Sequence, residues 1–222
     1  MTLTWELADC RIAFSTIADG DARDPERRQS WLNRCGAPTA IVPGQVHGAV
    51  LGNADDPGAD RALWDGVVSS DPRQALGVFG ADCPGLILIA PDALGAAHCG
   101  WRGTAAGMVR NLVNALAQRS TTPPDTWHAF IGPGISGPRY QVDAPVLTAR
   151  EWPTVALRPV DADHAELDLA SAIAADCQSL GLRSITHSSI CTASDPRLHS
   201  FRHDGKGIVQ VLAVWRVETD RR

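Results

Sequence analysis

The sequence predicts an α+β fold of mixed β-sheets with flanking helices, expected as a single domain over residues 1–222. Three observations predict it. Short β-type runs recur along most of the chain, only two segments carry apolar residues at helical spacing, and the two kinds follow no regular alternation. That irregularity argues against a doubly wound α/β sheet.

Taken in order, β-type runs fall at 11–16, 39–42, 45–51, 66–69, 76–80, 85–90, 94–98, 128–131, 184–187 and 207–217, each rich in aliphatic side chains. One helix is predicted over 104–118, where Ala105, Met108, Val109, Leu112, Val113 and Leu116 share a face. A second is predicted over 168–180, with Leu169, Ile173 and Cys177 on its apolar stripe. Polar breaks at 53–60 and 120–125 are of ordinary loop length, and no repeat or low-complexity tract appears.

Composition bounds the function. With 44% hydrophobic and 20% charged residues, the chain is too apolar to be a disordered linker, although Gly 20 and Pro 15 imply many turns. Lys+Arg 20 against Asp+Glu 25 leaves a net charge of -5, which excludes the basic surface that polymeric nucleic acid or an anionic membrane requires. No run approaches the roughly 18 apolar residues of a membrane helix. Glu6, Asp9, Arg11 and Asp19 interrupt any secretory core, and the six cysteines, Cys10, Cys35, Cys83, Cys99, Cys177 and Cys191, read as cytosolic thiols. The expected location is the cytoplasm.

Four clusters carry candidate chemistry. His47, Cys83 and His98 each sit just past the end of a β-type run, where separate segments can converge. Two imidazoles and a thiolate suit Zn²⁺ or copper, and three protein ligands leave a position for water or substrate. Without a metal, the same residues read as a buried thiol and two hydrogen-bonded histidines. The second cluster, Gly100-Trp101-Arg102-Gly103-Thr104, joins a strand to a helix that Thr104 is expected to cap. Its glycines, helix terminus and Arg102 suit an anion; a tight turn with a surface arginine is the other reading. The third, Gly132-Pro133-Gly134-Ile135 through Tyr140-Gln141-Val142, suits a pocket wall or a loop anchored by the only tyrosine. The fourth, Cys191-Thr192 to Asp204-Gly205 with Asp195, His199, Arg202 and His203, supplies acid, base or anion contacts, or else a solvated turn.

Read together, the clusters resemble the YfiH-like family, described as laccase-like polyphenol oxidases and as multifunctional purine nucleoside enzymes. Six blocks recur in order: Gln45-Val46-His47; Asp65-Gly66 with Leu76-Gly77-Val78; Ala81-Asp82-Cys83; His98-Cys99-Gly100-Trp101-Arg102-Gly103; Gly132-Pro133-x-Ile135 with Tyr140-x-Val142; and Cys191-Thr192 before Ser200-x-Arg202-x-Asp204-Gly205. The resemblance implies the YfiH-like (cysteine-hydrolase-like) fold and a metal held by His47, Cys83 and His98. It implies phosphorolysis of purine nucleosides, including adenosine, inosine, guanosine and methylthioadenosine, and deamination of adenosine to inosine. Gln45, Arg102, Gly103, Tyr140 and Arg202 are the expected substrate contacts, while Asp82, Cys83 and Arg102 are the expected catalytic groups. Asp82 is the candidate for a proton-transfer or ligand-orienting role, being adjacent to Cys83.

The sequence departs from that pattern at Cys99, where alanine is usual, at His203 and Ile208, where arginines are usual, and at Gln141, where glutamate is usual. The resulting expectation is a Zn²⁺ enzyme, with copper as the other metal, taking a purine nucleoside and phosphate. Three other readings stand beside it: a copper-dependent phenol oxidase, a metal-free Cys83–His98 hydrolase of the kind attached to peptidoglycan editing, and a binding protein without turnover. Seven histidines with no His-x-His pair argue against four-copper chemistry.

Overall fold

A computed structural model describes residues 2–217. The chain runs β1 (Leu3–Leu7), β2 (Cys10–Phe14), α1 (Pro25–Arg34), β3 (Ala40–Ile41), β4 (Leu51–Asn53), β5 (Gly66–Ser69), β6 (Ala75–Gly80), β7 (Gly85–Ile89), β8 (Leu94–His98), α2 (Trp101–Ala105), α3 (Met108–Ala117), β9 (His128–Ile131), β10 (Gln141–Val142), α4 (Ala144–Leu147), β11 (Leu157–Pro159), β12 (Ala165–Leu167), α5 (Leu169–Ser179), β13 (Ser184–His187), α6 (Phe201–Asp204) and β14 (Gln210–Arg216).

The strands form a five-stranded sheet ordered β1-β2-β14-β6-β3, a six-stranded sheet ordered β13-β9-β7-β8-β5-β4 and a three-stranded sheet ordered β10-β12-β11. Both large sheets mix parallel and antiparallel pairs. Strand alternation explains their stacking. In β7, Ile87 and Ile89 face the five-stranded sheet, packing with Ile12, Leu76, Val78 and Leu212, while Leu86 and Leu88 face the helices. In β14, Leu212 and Val214 join the same inter-sheet core, and Val211, Ala213 and Trp215 pack outward on Trp31 and Leu32 of α1. The layers therefore run α1, five-stranded sheet, six-stranded sheet, then α3 with α5. This is the mixed α+β architecture the sequence predicts.

Several elements differ from the expectation. The predicted strand over 45–51 is mostly loop, because His47 takes a left-handed φ of 63° that no strand tolerates. The predicted helix over 104–118 is two: Gly107, at φ 87°, ends the α2 turn and starts α3 in a new direction. Helix α1 was not predicted from periodicity, since its buried stripe is only Trp31 and Leu32. Its signal was at the N-terminus, where the Asp24 side chain accepts hydrogen bonds from Glu26 and Arg27 N–H groups and Pro25 opens the helix.

The candidate metal centre

Three segments bring the candidate ligands together. His98 ends β8, buried on the six-stranded sheet; Cys83 lies on the turn between β6 and β7; His47 projects from the loop before β4. One donor atom from each lies within 4.8 Å of the others, and the imidazoles meet edge to face with centroids 4.8 Å apart. His98 is buried, Cys83 half-buried and His47 exposed, so the group opens on one side.

Gly100 makes this convergence possible. A Cβ there would stand 2.9 Å from Cys83 Sγ, 3.4 Å from His98 Cε1 and 3.7 Å from His47 Cδ2. The three ligands thus surround a space that only glycine leaves free. Gly103 has a different reason. A Cβ there would collide with the Gly48 carbonyl oxygen, so its absence lets α2 press against the His47 loop. Gly103 lies behind Trp101 and Arg102, which line the cavity, and its place in the structure is this packing contact.

Asp65 organises two of the candidate ligands. It is fully buried, and its carboxylate accepts hydrogen bonds from the backbone N–H groups of His47 at 2.7 Å, Gly48 at 2.7 Å and Val46 at 3.3 Å. The same carboxylate takes Nδ1–H of His98 at 3.1 Å, which leaves Nε2 to carry a metal. Burial alone would raise the Asp65 pKa, but the bonds from His98 and Gly48 outweigh it and hold the carboxyl below its usual value. Burial would likewise neutralise His98. Its bonds to Asp65 and Cys83 prevail, pushing its pKa up to about 9. His47 is shifted down, by burial and by the nearby His98.

Asp82 does not take the histidine-orienting place expected of it. Its side chain accepts hydrogen bonds from Thr192 Oγ1 at 2.6 Å and from Arg202 N–H at 2.7 Å. Its backbone has φ 95°, and its carbonyl accepts from Ile135 N–H at 2.8 Å. Asp82 therefore ties the Cys83 turn to α6 and to the loop after β9, which also pairs at Gly134 with Cys191. Three of the four sequence clusters meet here.

A cavity of about 680 Å³ opens beside the ligands, within the range of small-molecule sites. Phe79, Trp101, Ile135, Tyr140, Leu169 and Phe201 give it apolar wall; Arg23, Arg102 and Arg202 give it positive charge. Arg102 lies over Trp101 at 4.3 Å, and Arg202 over Tyr140 at 4.9 Å. Burial beside the Cys83 sulfur pushes the Tyr140 hydroxyl up to about 12, so it stays protonated. Gln45 lines the wall, but its amide is held on the Phe79 backbone by bonds of 2.6 and 3.0 Å. Thr104 does not cap a helix; Gly100 precedes α2, and Thr104 is buried inside it. The anion reading thus rests on the arginines. Arg23 comes from outside the six blocks and carries no motif that marks it, and the organising role of Asp65 was not read from the sequence, although Asp65-Gly66 is one of those blocks.

A family model described as multi-copper polyphenol oxidoreductase laccase matches residues 13–216. The chain belongs to this family. It is 32% identical over 180 residues, covering 77% of this chain and 67% of the other, to a protein of Deinococcus radiodurans named purine nucleoside phosphorylase. It is 33% identical over 185 residues, covering 81% and 69%, to Mycobacterium tuberculosis Rv2149c of the same name. Among solved structures, Neisseria meningitidis NMB0706 superposes with a TM-score of 0.84 at 23% identity over 98% of this chain and 99% of that one. YlmD from Geobacillus stearothermophilus gives 0.82 at 25% identity over 95% and 93%. These likenesses bear out the fold expectation.

The family's description names several coppers, whereas one group of three donors is present among the described residues. That set fits a single ion. Two imidazole nitrogens and a thiolate around the Gly100 space match Zn²⁺ or one copper, not a multi-copper cluster.

Proposed function

We propose that this protein is a metal-dependent purine nucleoside enzyme that cleaves nucleosides with phosphate to base and ribose-1-phosphate and deaminates adenosine to inosine. The observation that carries the reading is the three-donor group opening into a cavity with apolar walls and arginines. His47, Cys83 and His98 would hold Zn²⁺, which when bound supplies a Lewis acid and a water of lowered pKa. The curated relatives' names support the nucleoside as substrate.

The chain's own residues divide the work. Phe79, Ile135, Tyr140 and Leu169 exclude water around the sugar and base. Arg102, which stacks on Trp101, holds phosphate for attack at C1′ as the C1′–N9 bond breaks and the base departs with its electron pair. In deamination, water adds at C6 of adenosine and ammonia leaves. Asp82, engaged by Thr192 and Arg202, acts as a positioning residue for the Cys83 turn. We place the enzyme in the cytoplasm; no helix among the described residues is long and apolar enough to cross a membrane.

A second reading has its own observation. Cys83, His98 and Asp65 form a chain of nucleophile, base and orienting carboxylate, the arrangement of a metal-free thiol hydrolase. One assay separates the two. Metal-quantified protein is incubated with adenosine, with and without phosphate, beside a Cys83→Ala control. Phosphate-dependent adenine or phosphate-independent inosine, abolished by chelation and in the control, is the expected result. Turnover that survives chelation but not thiol alkylation supports the hydrolase.

A further inference from the structure

Four aromatic rings line the cavity: Phe79, Trp101, Tyr140 and Phe201. Three carry a guanidinium. Arg28 lies over Phe79 at 5.5 Å, Arg102 over Trp101 at 4.3 Å and Arg202 over Tyr140 at 4.9 Å. Phe201 has neither a stacked cation nor a ring partner among the described residues, and it is 57% exposed. An exposed phenylalanine leaves apolar surface in water, and in a cavity wall that surface is available to a ligand.

The backbone beneath it is anchored. Phe201 opens α6, whose N-cap Ser200 accepts a hydrogen bond from His203 N–H at 3.2 Å, while Asp204 accepts from Ser200 N–H at 2.9 Å. The next residue, Arg202, donates its N–H to Asp82, the neighbour of the ligand Cys83. A short chain of bonds therefore ties the backbone that carries Phe201 to the Cys83 turn, which keeps α6 at the side of the cavity next to the His47–Cys83–His98 group.

We propose that Phe201 is the stacking platform for the purine base, and so a specificity-determining residue of the nucleoside site. The proposal rests on the nucleoside reading and deepens it. A planar heteroaromatic ring is the ligand that gains most from an unoccupied phenyl face, and the nearby arginines are already turned onto other rings. Stacking of a base on an aromatic side chain gives an expected loss of about ten- to a hundredfold in affinity on truncation.

The test is calorimetric titration of the zinc-loaded protein with adenosine, adenine and inorganic phosphate, comparing wild type with F201A, F201L and F201W. F201A should bind adenosine and adenine about ten- to a hundredfold more weakly, and phosphate unchanged. F201W should bind the purines at least as tightly as wild type, and F201L should fall between. V155A, at an exposed apolar position outside the cavity, should match wild type. Equal purine binding by F201A and wild type overturns the platform while leaving the nucleoside reading intact. Absence of purine binding by wild type overturns both.

Discussion

The Asp65 carboxylate accepts Nδ1–H of His98 at 3.1 Å and the backbone N–H of His47 at 2.7 Å, so one buried side chain orients two of the three candidate ligands. Asp65→Asn keeps the shape and removes the charge. It should weaken metal binding by about 10- to 100-fold, the usual cost of losing a partner behind a ligand. A competition titration against a chelator measures this, and unchanged affinity would remove Asp65 from the site's design.

The same pair sets a pH dependence. In the metal-free protein the His98 pKa is raised from 6.5 to about 9, so its interaction stabilises fully below about pH 6.5 and is lost as pH rises through 9. Metal loading runs the other way, since the ligand imidazole must give up its proton. The melting-temperature gap between zinc-loaded and chelator-treated protein should therefore widen from pH 6.5 to 9. A gap that narrows over this range would contradict the assignment of His98 as a ligand.

Gly100 and Gly107 make a paired test. Gly100→Ala places a methyl 2.9 Å from Cys83 Sγ and should lower metal affinity at least tenfold. Gly107→Ala meets nothing within 4 Å, but its φ of 87° is strained for alanine. That variant should lose about 1 kcal/mol of stability and keep its metal. Metal content by elemental analysis, alongside thermal melts, distinguishes the two.

How far the sequence shows this site depends on the range of the interactions involved. Strands β5, β8, β9 and β13 match the predicted limits residue for residue, because each is a short β-prone run whose ends are set by local turn residues. The three-stranded sheet escaped prediction, since β10, β11 and β12 hold only two or three residues each. The trio was legible through the recurring blocks more than through strand ends, since only His98 ends a strand, while Cys83 lies on a turn and His47 in a loop. The partner of His98 was not: chain adjacency pointed to Asp82, but Asp65, 33 residues away, reaches the ring across the β5–β8 pairing. The helix break at Gly107 was visible as a residue but not as a decision, for glycine is tolerated inside helices at about 1 kcal/mol.

Arg102 offers a way to split the two proposed reactions. It is exposed, rests on Trp101 and forms no salt bridge among the described residues, whereas Arg202 spends one donor on the Gln141 carbonyl at 2.9 Å. If Arg102 binds the attacking phosphate, Arg102→Ala should raise the KM for phosphate by about 10- to 100-fold, corresponding to a charged hydrogen bond of about 1.5–3 kcal/mol. Deamination uses water instead, so inosine formation should stay within about twofold of wild type. Arg102→Lys should restore little, because a point charge does not reproduce a planar fork of donors. The measurement is the initial rate of adenine and inosine release across a phosphate series. A parallel fall in both products would mean that Arg102 orients the nucleoside and that phosphate is held elsewhere on the cavity wall.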